Sequence, residues 1–345
     1  MMRFLVAALA LLCWINTATA DIGLASVEKK IDAFFDHLFA ENTSPKKEAT
    51  VSQESVLPKI DVAISRQKKI DAFIDYLVAH DHFQRRELTS IFNTITFRQS
   101  VIRHDRAPLE KETWGLYQRL YVTEWRIRKG IQFWNQYQNE LNAVEKRYGV
   151  PASIIVSTIG IETRYGHHSE QVPVLDALAT LAFKDNRRAA YFQSELEQFF
   201  LLCREQHLNL RKLRGSFTGA IGQPQFMPSS YRHYAVSFDG RSKQIDLTSN
   251  VPDIIASVGN FYHKHGWRTG EPVAIPAEQI NQTEFKDQPY ESITLKNTTA
   301  EEHWMGFHNF KVIKRYNPSN LYAMAVFQLS HYLAELRNHD SKKSA

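Results

Sequence analysis

The segment from Gly149 to Gly166 constrains this chain more than any other. Gly149-Val150-Pro151 interrupts one helical pattern, and Pro151 suits the opening of another, where a missing N–H costs nothing. The pattern after it predicts a helix through Tyr165, stopped by Gly166. On it Ile155, Thr158, Ile159 and Glu162 share one face by i, i+3, i+4, i+7 spacing. Glu162 thus extends an apolar stripe in the last helical turn, where a cleft can open. A carboxyl held against apolar walls keeps its proton to higher pH, because its charged form is poorly solvated. That property is what a general acid needs near neutral pH. A glutamate near a helix end also suits a solvated face, or an ion pair with Arg164 or Arg188, so spacing alone leaves these readings open.

The N-terminus has a different character. Arg3 precedes an unbroken apolar run, Phe4 to Ile15, and Ala18-Thr19-Ala20 supplies the small residues of a cleavage site. Residues 1–20 therefore read as a secretory signal peptide, and the run is too short for a membrane span. Anchoring through Cys13 is the competing reading, and it is disfavoured by the bulky Leu12 before it. Without the signal only Cys203 remains of the two cysteines, so no internal disulfide is expected, and its apolar neighbours suit a buried thiol. The net charge of +5, or +4 once Arg3 is removed, is spread along the chain. No basic block suits nucleic acid, and a mildly basic exported protein suits an acidic polymer.

A duplication marks the start of the exported part. Lys29 to Ala40 recurs as Lys68 to Ala79 with nine of twelve positions identical, each copy apolar at helical spacing. Glu41 to Pro58 is polar and reads as a flexible linker. Residues 21–65 are accordingly an N-terminal helix plus polar linker, and 66–345 the main domain. Helices are predicted over 73–92 (with a turn), 113–147, 173–183, 187–205, 252–265 and 318–336. The glycine- and proline-rich stretch from Ser216 to Pro228 is predicted as mainly loop or short turns. Strand signals fall at Ser292 to Leu295 and at Phe310 to Ile313. The fold class is mainly α (α+β), with additional helices around a core and a small β-containing part.

Several long motifs then occur in a fixed order. They are Gly149-Val150-Pro151 through Ile161-Glu162-Thr163-Arg164-Tyr165-Gly166; Leu175-Asp176-Ala177-Leu178-Ala179-Thr180-Leu181-Ala182-Phe183; and Arg187-Arg188-Ala189-Ala190-Tyr191-Phe192. The block Gly215-Ser216-Phe217-Thr218-Gly219-Ala220-Ile221-Gly222-Gln223-Pro224-Gln225-Phe226-Met227-Pro228-Ser229-Ser230-Tyr231 and the late Arg315-Tyr316-Asn317-Pro318-Ser319 complete the set. Together they resemble the membrane-bound lytic murein transglycosylase B family (glycoside hydrolase family 103), over about Arg66 to Leu336. The resemblance implies a lysozyme-like catalytic core and cleavage of peptidoglycan glycan strands between N-acetylmuramic acid and N-acetylglucosamine. The products would carry 1,6-anhydromuramoyl ends rather than added water. It implies Glu162 as the single acid and base, with no second carboxylate. It implies no cofactor; the signal peptide makes a periplasmic location the expectation, and a monomer is expected. By position it implies substrate contacts from Ser216, Gln225, Phe226, Met227, Tyr117, Tyr262, Tyr316 and Asn317. For Tyr117 and Tyr262 core packing is an equal reading.

Two positions depart from the family pattern. Members often carry an EF-hand-type calcium loop after the Gln-Phe-Met-Pro block. In this chain Phe238 to Asp246 puts Arg241 and Lys243 where oxygen ligands are needed, so no metal site is expected. Thr218 stands where the block usually has alanine, which brings a second hydroxyl beside Ser216. His263 and His265 diverge on a helix and form no metal pair, and the three Asn-x-Ser/Thr sequons carry no meaning in a bacterial wall enzyme. The rival functions are a hydrolytic muramidase on the same site and a non-catalytic wall-binding protein. An envelope-complex partner held by the duplicated helix is compatible with either activity.

Overall fold

The computed structural model describes residues 57–106, 112–167, 172–184, 187–297 and 300–343. The signal peptide, the first copy of the duplicated helix and the linker up to residue 56 lie outside the described residues. Contacts divide the chain into Met1–Asp61 and the compact unit Val62–Ala345, and the buried core from Ile70 onward belongs to the second.

The duplicated sequence lies in α1 (Leu57–Asp81), which runs through the boundary expected at residue 65 and begins inside the stretch read as linker. Its Ile70, Phe73, Ile74 and Leu77 are buried, with Phe73 edge-on to Phe92 and Phe183. Next come α2 (Arg85–Phe92) and α3 (Gln99–Arg106). The helix expected over 113–147 is three: α4 (Trp114–Tyr121), α5 (Glu124–Gln136) and α6 (Gln138–Tyr148). Thr123 causes the first break, since its side chain accepts the Arg126 amide and so starts α5 afresh.

At the centre lies α7 (Ala152–Thr163), packed by α5, α6, α11 (Val251–Lys264) and α13 (Asn320–Lys343). Of its residues only Ser153 and Glu162 escape full burial. A helix enclosed on every side must be apolar on every side, which is why the stripe read from its sequence understates it. Its small polar residues are satisfied locally: Ser157 and Thr158 donate to the Ile154 carbonyl at 2.9 and 2.8 Å.

Strands β1 (Val172–Pro173) and β2 (Arg214–Gly215) pair antiparallel between α8 (Val174–Ala182) and the glycine-rich block. Between them α8 and α9 (Ala189–Glu205) pack closely, and α10 (Pro228–Tyr234) lies on α9. Asp176, buried on α8, accepts the Thr96 amide at 3.1 Å and Arg98 Nε at 2.8 Å, which ties the segment before α3 to the core. Cys203 on α9 is buried, and burial pushes its thiol up to about 12. It stays a protonated, unreactive core side chain at neutral pH.

A three-stranded antiparallel sheet in the order β3-β5-β4 is formed by Ala274–Pro276, Glu291–Lys296 and Glu301–Gly306, numbered β3 to β5 along the chain. Strand β4 matches its expected position. The strand expected at Phe310 to Ile313 is instead helix α12 (His308–Ile313). Asn309, Phe310, Val312 and Ile313 are all buried, a pattern an alternating strand cannot give. The Asn309 amide fixes this turn by donating to the Arg268 and Glu271 carbonyls at 2.8 and 2.9 Å.

Candidate active site

Helix α7 ends three residues before Gly166. Arg164 and Tyr165 both take left-handed backbone, with φ of 52° and 59°, and Gly166 comes next at 81°. Two successive non-glycine residues held there cost energy, and such strain gathers at functional sites. Glu162, in the final turn, is partly exposed. The hydroxyl of Tyr322, on α13, donates to its Oε1 at 2.6 Å, a short hydrogen bond. Burial first, and then the neighbouring Glu162 charge, pushes the Tyr322 phenol well above its ordinary range, so it stays a donor.

Tyr316 lies nearly parallel to Tyr322, with ring centres 6.3 Å apart, and its hydroxyl donates to the Pro224 carbonyl at 2.5 Å. It therefore joins the helix bearing the Glu162 donor to the glycine-rich block. A second tie comes from Thr163, whose hydroxyl donates to the Gln223 carbonyl at 3.0 Å. Within the block, which consists of loop and turns as expected, Gly215 bridges Ile221 and Ile221 bridges Phe226. Gln225 adopts left-handed backbone (φ 50°) and turns its amide nitrogen back to the Gly222 carbonyl at 2.8 Å.

Ser216 has a more local role than its motif suggests. Its Oγ accepts the Thr218 and Ala220 amides at 3.2 and 3.1 Å and lies 3.0 Å from Thr218 Oγ1. Two amides fill both lone pairs of the serine oxygen, so the serine is the donor toward Thr218. The hydroxyl that replaces the family's alanine thus takes the one hydrogen Ser216 has to give.

The remaining sequence-predicted residues separate by depth. Tyr117, Tyr262 and Phe226 are 2%, 0% and 2% exposed and belong to the core beneath the site. Tyr262 donates to Thr158, one turn before Glu162, at 2.8 Å, because the Thr158 hydrogen is already given to Ile154. Met227, Tyr316 and Asn317, with Ser216 and Gln225, are partly exposed. Tyr322 is absent from the sequence-based candidates. It lies in the apolar run Leu321-Tyr322-Ala323-Met324-Ala325-Val326-Phe327, and nothing there but the need of a buried phenol for a partner marks it. The two arginines considered as partners of Glu162 lie on aromatic rings: Arg164 over Trp125 at 4.4 Å and Arg188 over Phe192 at 4.8 Å.

The stretch after α10 does not fit a calcium ion. Asp239 accepts from the Ser237 hydroxyl at 2.7 Å and the Arg241 amide at 2.9 Å, and these bonds hold its carboxyl below the ordinary range. Burial pushes the Asp246 carboxyl upward, but bonds from Ser249, Thr248 and Asn250 outweigh it and leave it lowered. Both carboxylates serve their own turns, with Arg241 and Lys243 between them. Calcium at millimolar concentration is therefore expected to move the thermal unfolding midpoint by less than about 1 °C, because a ligand stabilises only what it binds. A larger upward shift in a calorimetric scan would show that the turns reorganise around the ion.

The match with known proteins extends over most of the chain. The family model described as the transglycosylase SLT domain matches residues 65–331. Membrane-bound lytic murein transglycosylase B of Escherichia coli strain K12 is 38% identical over 289 residues, which cover 74% of this chain and 80% of that protein. The crystal structure of soluble lytic transglycosylase SltB1 from Pseudomonas aeruginosa superposes with a TM-score of 0.71 at 37% identity, covering 78% of this chain and 99% of that one. The Escherichia coli lytic transglycosylase Slt35, solved in complex with calcium, gives 0.70 at 37% identity, covering 78% and 93%.

Proposed function

The chain belongs to the transglycosylase SLT domain family, and from this premise we propose that it is a lytic murein transglycosylase whose acid and base are both Glu162. The reaction cleaves the β-1,4 bond between N-acetylmuramic acid and N-acetylglucosamine in peptidoglycan without adding water. The observation that carries the residue assignment is the Tyr322 hydroxyl on Glu162 Oε1 at 2.6 Å. It holds the carboxyl in place through one of its two oxygens.

In the first step Glu162 gives its proton to the bridging oxygen, and the bond to muramic C1 breaks. Positive charge develops at C1, where the substrate's own acetamido oxygen can stabilise it. In the second step Glu162, now a carboxylate, takes the proton of the muramic C6 hydroxyl as that oxygen bonds to C1. The 1,6-anhydro ring closes and the carboxyl is again protonated. The nucleophile belongs to the reacting sugar, so the entropy of bringing it in is already spent, and no water needs placing. Tyr322 supports both half-reactions, because a phenol donor stabilises the carboxylate formed by the first and consumed by the second.

The partly exposed residues divide the remaining work. Met227 and Tyr316 offer apolar surface to the C–H faces of sugar rings. Gln225 and Asn317 offer amides to hydroxyl or acetamido groups. Ser216 braces the block from within. Tyr117, Tyr262 and Phe226 support the walls from the core. Among the described residues no helix is long and apolar enough to cross a membrane, and the N-terminal signal reading suits a periplasmic enzyme.

Digestion of purified peptidoglycan with the mature protein, followed by mass spectrometry, tests this reading. Anhydromuropeptides are the expected products. Fragments with reducing muramic ends would make the enzyme a hydrolase, and intact peptidoglycan that still binds the protein would leave a wall-binding module.

A further inference from the structure

Arg126 is a buried cation in an unusual setting. It is 7% exposed, and every hydrogen bond of its guanidinium ends on a backbone carbonyl. Nε donates to Gly160 at 2.8 Å, and Nη1 donates to Leu120 at 2.6 Å and to Tyr121 at 3.2 Å. Burial draws the group down to about 10, so it remains charged at neutral pH. A buried charge without a carboxylate beside it must be compensated in another way.

The compensation comes from two helix ends. Leu120 and Tyr121 are the last residues of α4, and Gly160 lies in the last turn of α7. Carbonyls at a helix C-terminus carry the negative end of its dipole, and the Gly160 carbonyl accepts Arg126 in addition to the Arg164 amide at 3.1 Å. Arg126 meets two such ends at once. Its fork is planar and rigid, so the directions of the two sets of bonds are fixed relative to each other, which an ammonium group cannot achieve.

Arg126 is itself held on both sides. Its amide donates to the Thr123 hydroxyl at 3.1 Å, and its carbonyl accepts the Tyr165 hydroxyl at 2.9 Å. The Tyr165 ring fills a notch between α5 and α7. A Cβ on Gly130 or on Gly160 would come within 2.5 Å of its hydroxyl, so glycine is needed at both positions. The two helices that Arg126 joins are α4, with the aromatic pair Tyr117 and Tyr121 4.4 Å apart, and α7, with Glu162 two residues beyond Gly160.

We infer that Arg126 is a positioning residue, a single guanidinium that fixes the C-terminal ends of α4 and α7 against each other and so sets where the Glu162 carboxyl stands. The inference rests on Glu162 being the acid. Arg126 acts through backbone, so its loss lowers the rate of chemistry rather than the hold on the glycan. The scale comes from reacting groups losing about a hundredfold for a misplacement of about 1 Å.

The test compares Arg126→Gln, Arg126→Lys and Arg126→Ala with the native protein and with Glu162→Gln, measuring kcat and KM for soluble glycan strands per folded molecule. For Arg126→Gln kcat is expected to fall about tenfold to a hundredfold, with KM within about threefold. Arg126→Lys, which reaches one helix end but not both, is expected to recover part of the loss. Added guanidinium ion should raise kcat of Arg126→Ala and leave Glu162→Gln unchanged. A purely structural arginine would lower the unfolding midpoint and leave kcat of the folded fraction within about threefold of native, and that outcome overturns the inference. Should the Arg126 variants fail to fold, Tyr165→Phe, which removes only the hydroxyl on the Arg126 carbonyl, is expected to lower kcat severalfold at constant KM. An unchanged kcat in that variant also overturns it. Absence of anhydro products from the native protein would instead strike the catalytic reading beneath it.

Discussion

Exchange of Glu162 for glutamine is expected to slow formation of anhydromuramoyl ends by about 10³- to 10⁴-fold while fold and glycan binding persist. One positioned acid or base contributes about 10²- to 10⁴-fold, and in the proposed mechanism this carboxyl performs both transfers. Glutamine keeps the shape, and its carbonyl oxygen still accepts the Tyr322 hydroxyl that now reaches Oε1. The neighbourhood therefore has little reason to rearrange, and the lost rate reports the lost proton. Initial rates from labelled peptidoglycan, with pull-down of the same variant on insoluble sacculi, separate chemistry from binding. A rate within tenfold of the native enzyme would move the acid to another residue.

Exchange of Tyr322 for phenylalanine is expected to lower kcat by about a hundredfold with little change in KM. A hydrogen bond to a charged group contributes about 1.5–3 kcal/mol, and in this reaction the charged form of Glu162 appears only after protonation of the leaving oxygen. The substitution leaves the ring, its stacking on Tyr316 and its place in the core intact. Since burial and the Glu162 charge keep the phenol protonated, the pH profile of the native enzyme should show no limb from Tyr322 below about pH 10. Equal kcat values for the two proteins would reduce Tyr322 to a packing residue.

How much of the fold and site is legible in the sequence differs from element to element. The central helix is, because proline at its entry and an apolar body are local signals. Its full enclosure is not, since the i, i+3, i+4 pattern selects one face and four surrounding helices cannot be seen from within the segment. Phe310 to Ile313 misleads because a short stretch with three apolar residues in four fits strand and helix alike, and Asn309 decides it through carbonyls some forty residues earlier. Glu162 emerges from pattern and resemblance together. Ser216 emerges from its motif, but its hydrogen is directed by Thr218, a single-residue departure whose effect needs coordinates. Tyr322 and Arg126 escape a sequence reading, because Glu162 is remote from Tyr322, Gly160 is remote from Arg126, and neither residue type in its place looks unusual.

The bond between Tyr322 and Glu162 joins residues 160 positions apart. The acid and the glycine-rich block are complete well before α13 is made. A growing or truncated chain that stops short of residue 320 owns its proton donor but lacks the phenol that steadies it, and lacks one of the helices that seal α7. Cutting power thus arrives with the last helix. On the proposed mechanism, fragments that end before this helix are expected to cut more slowly than the whole chain, a consequence of the order of the chain alone.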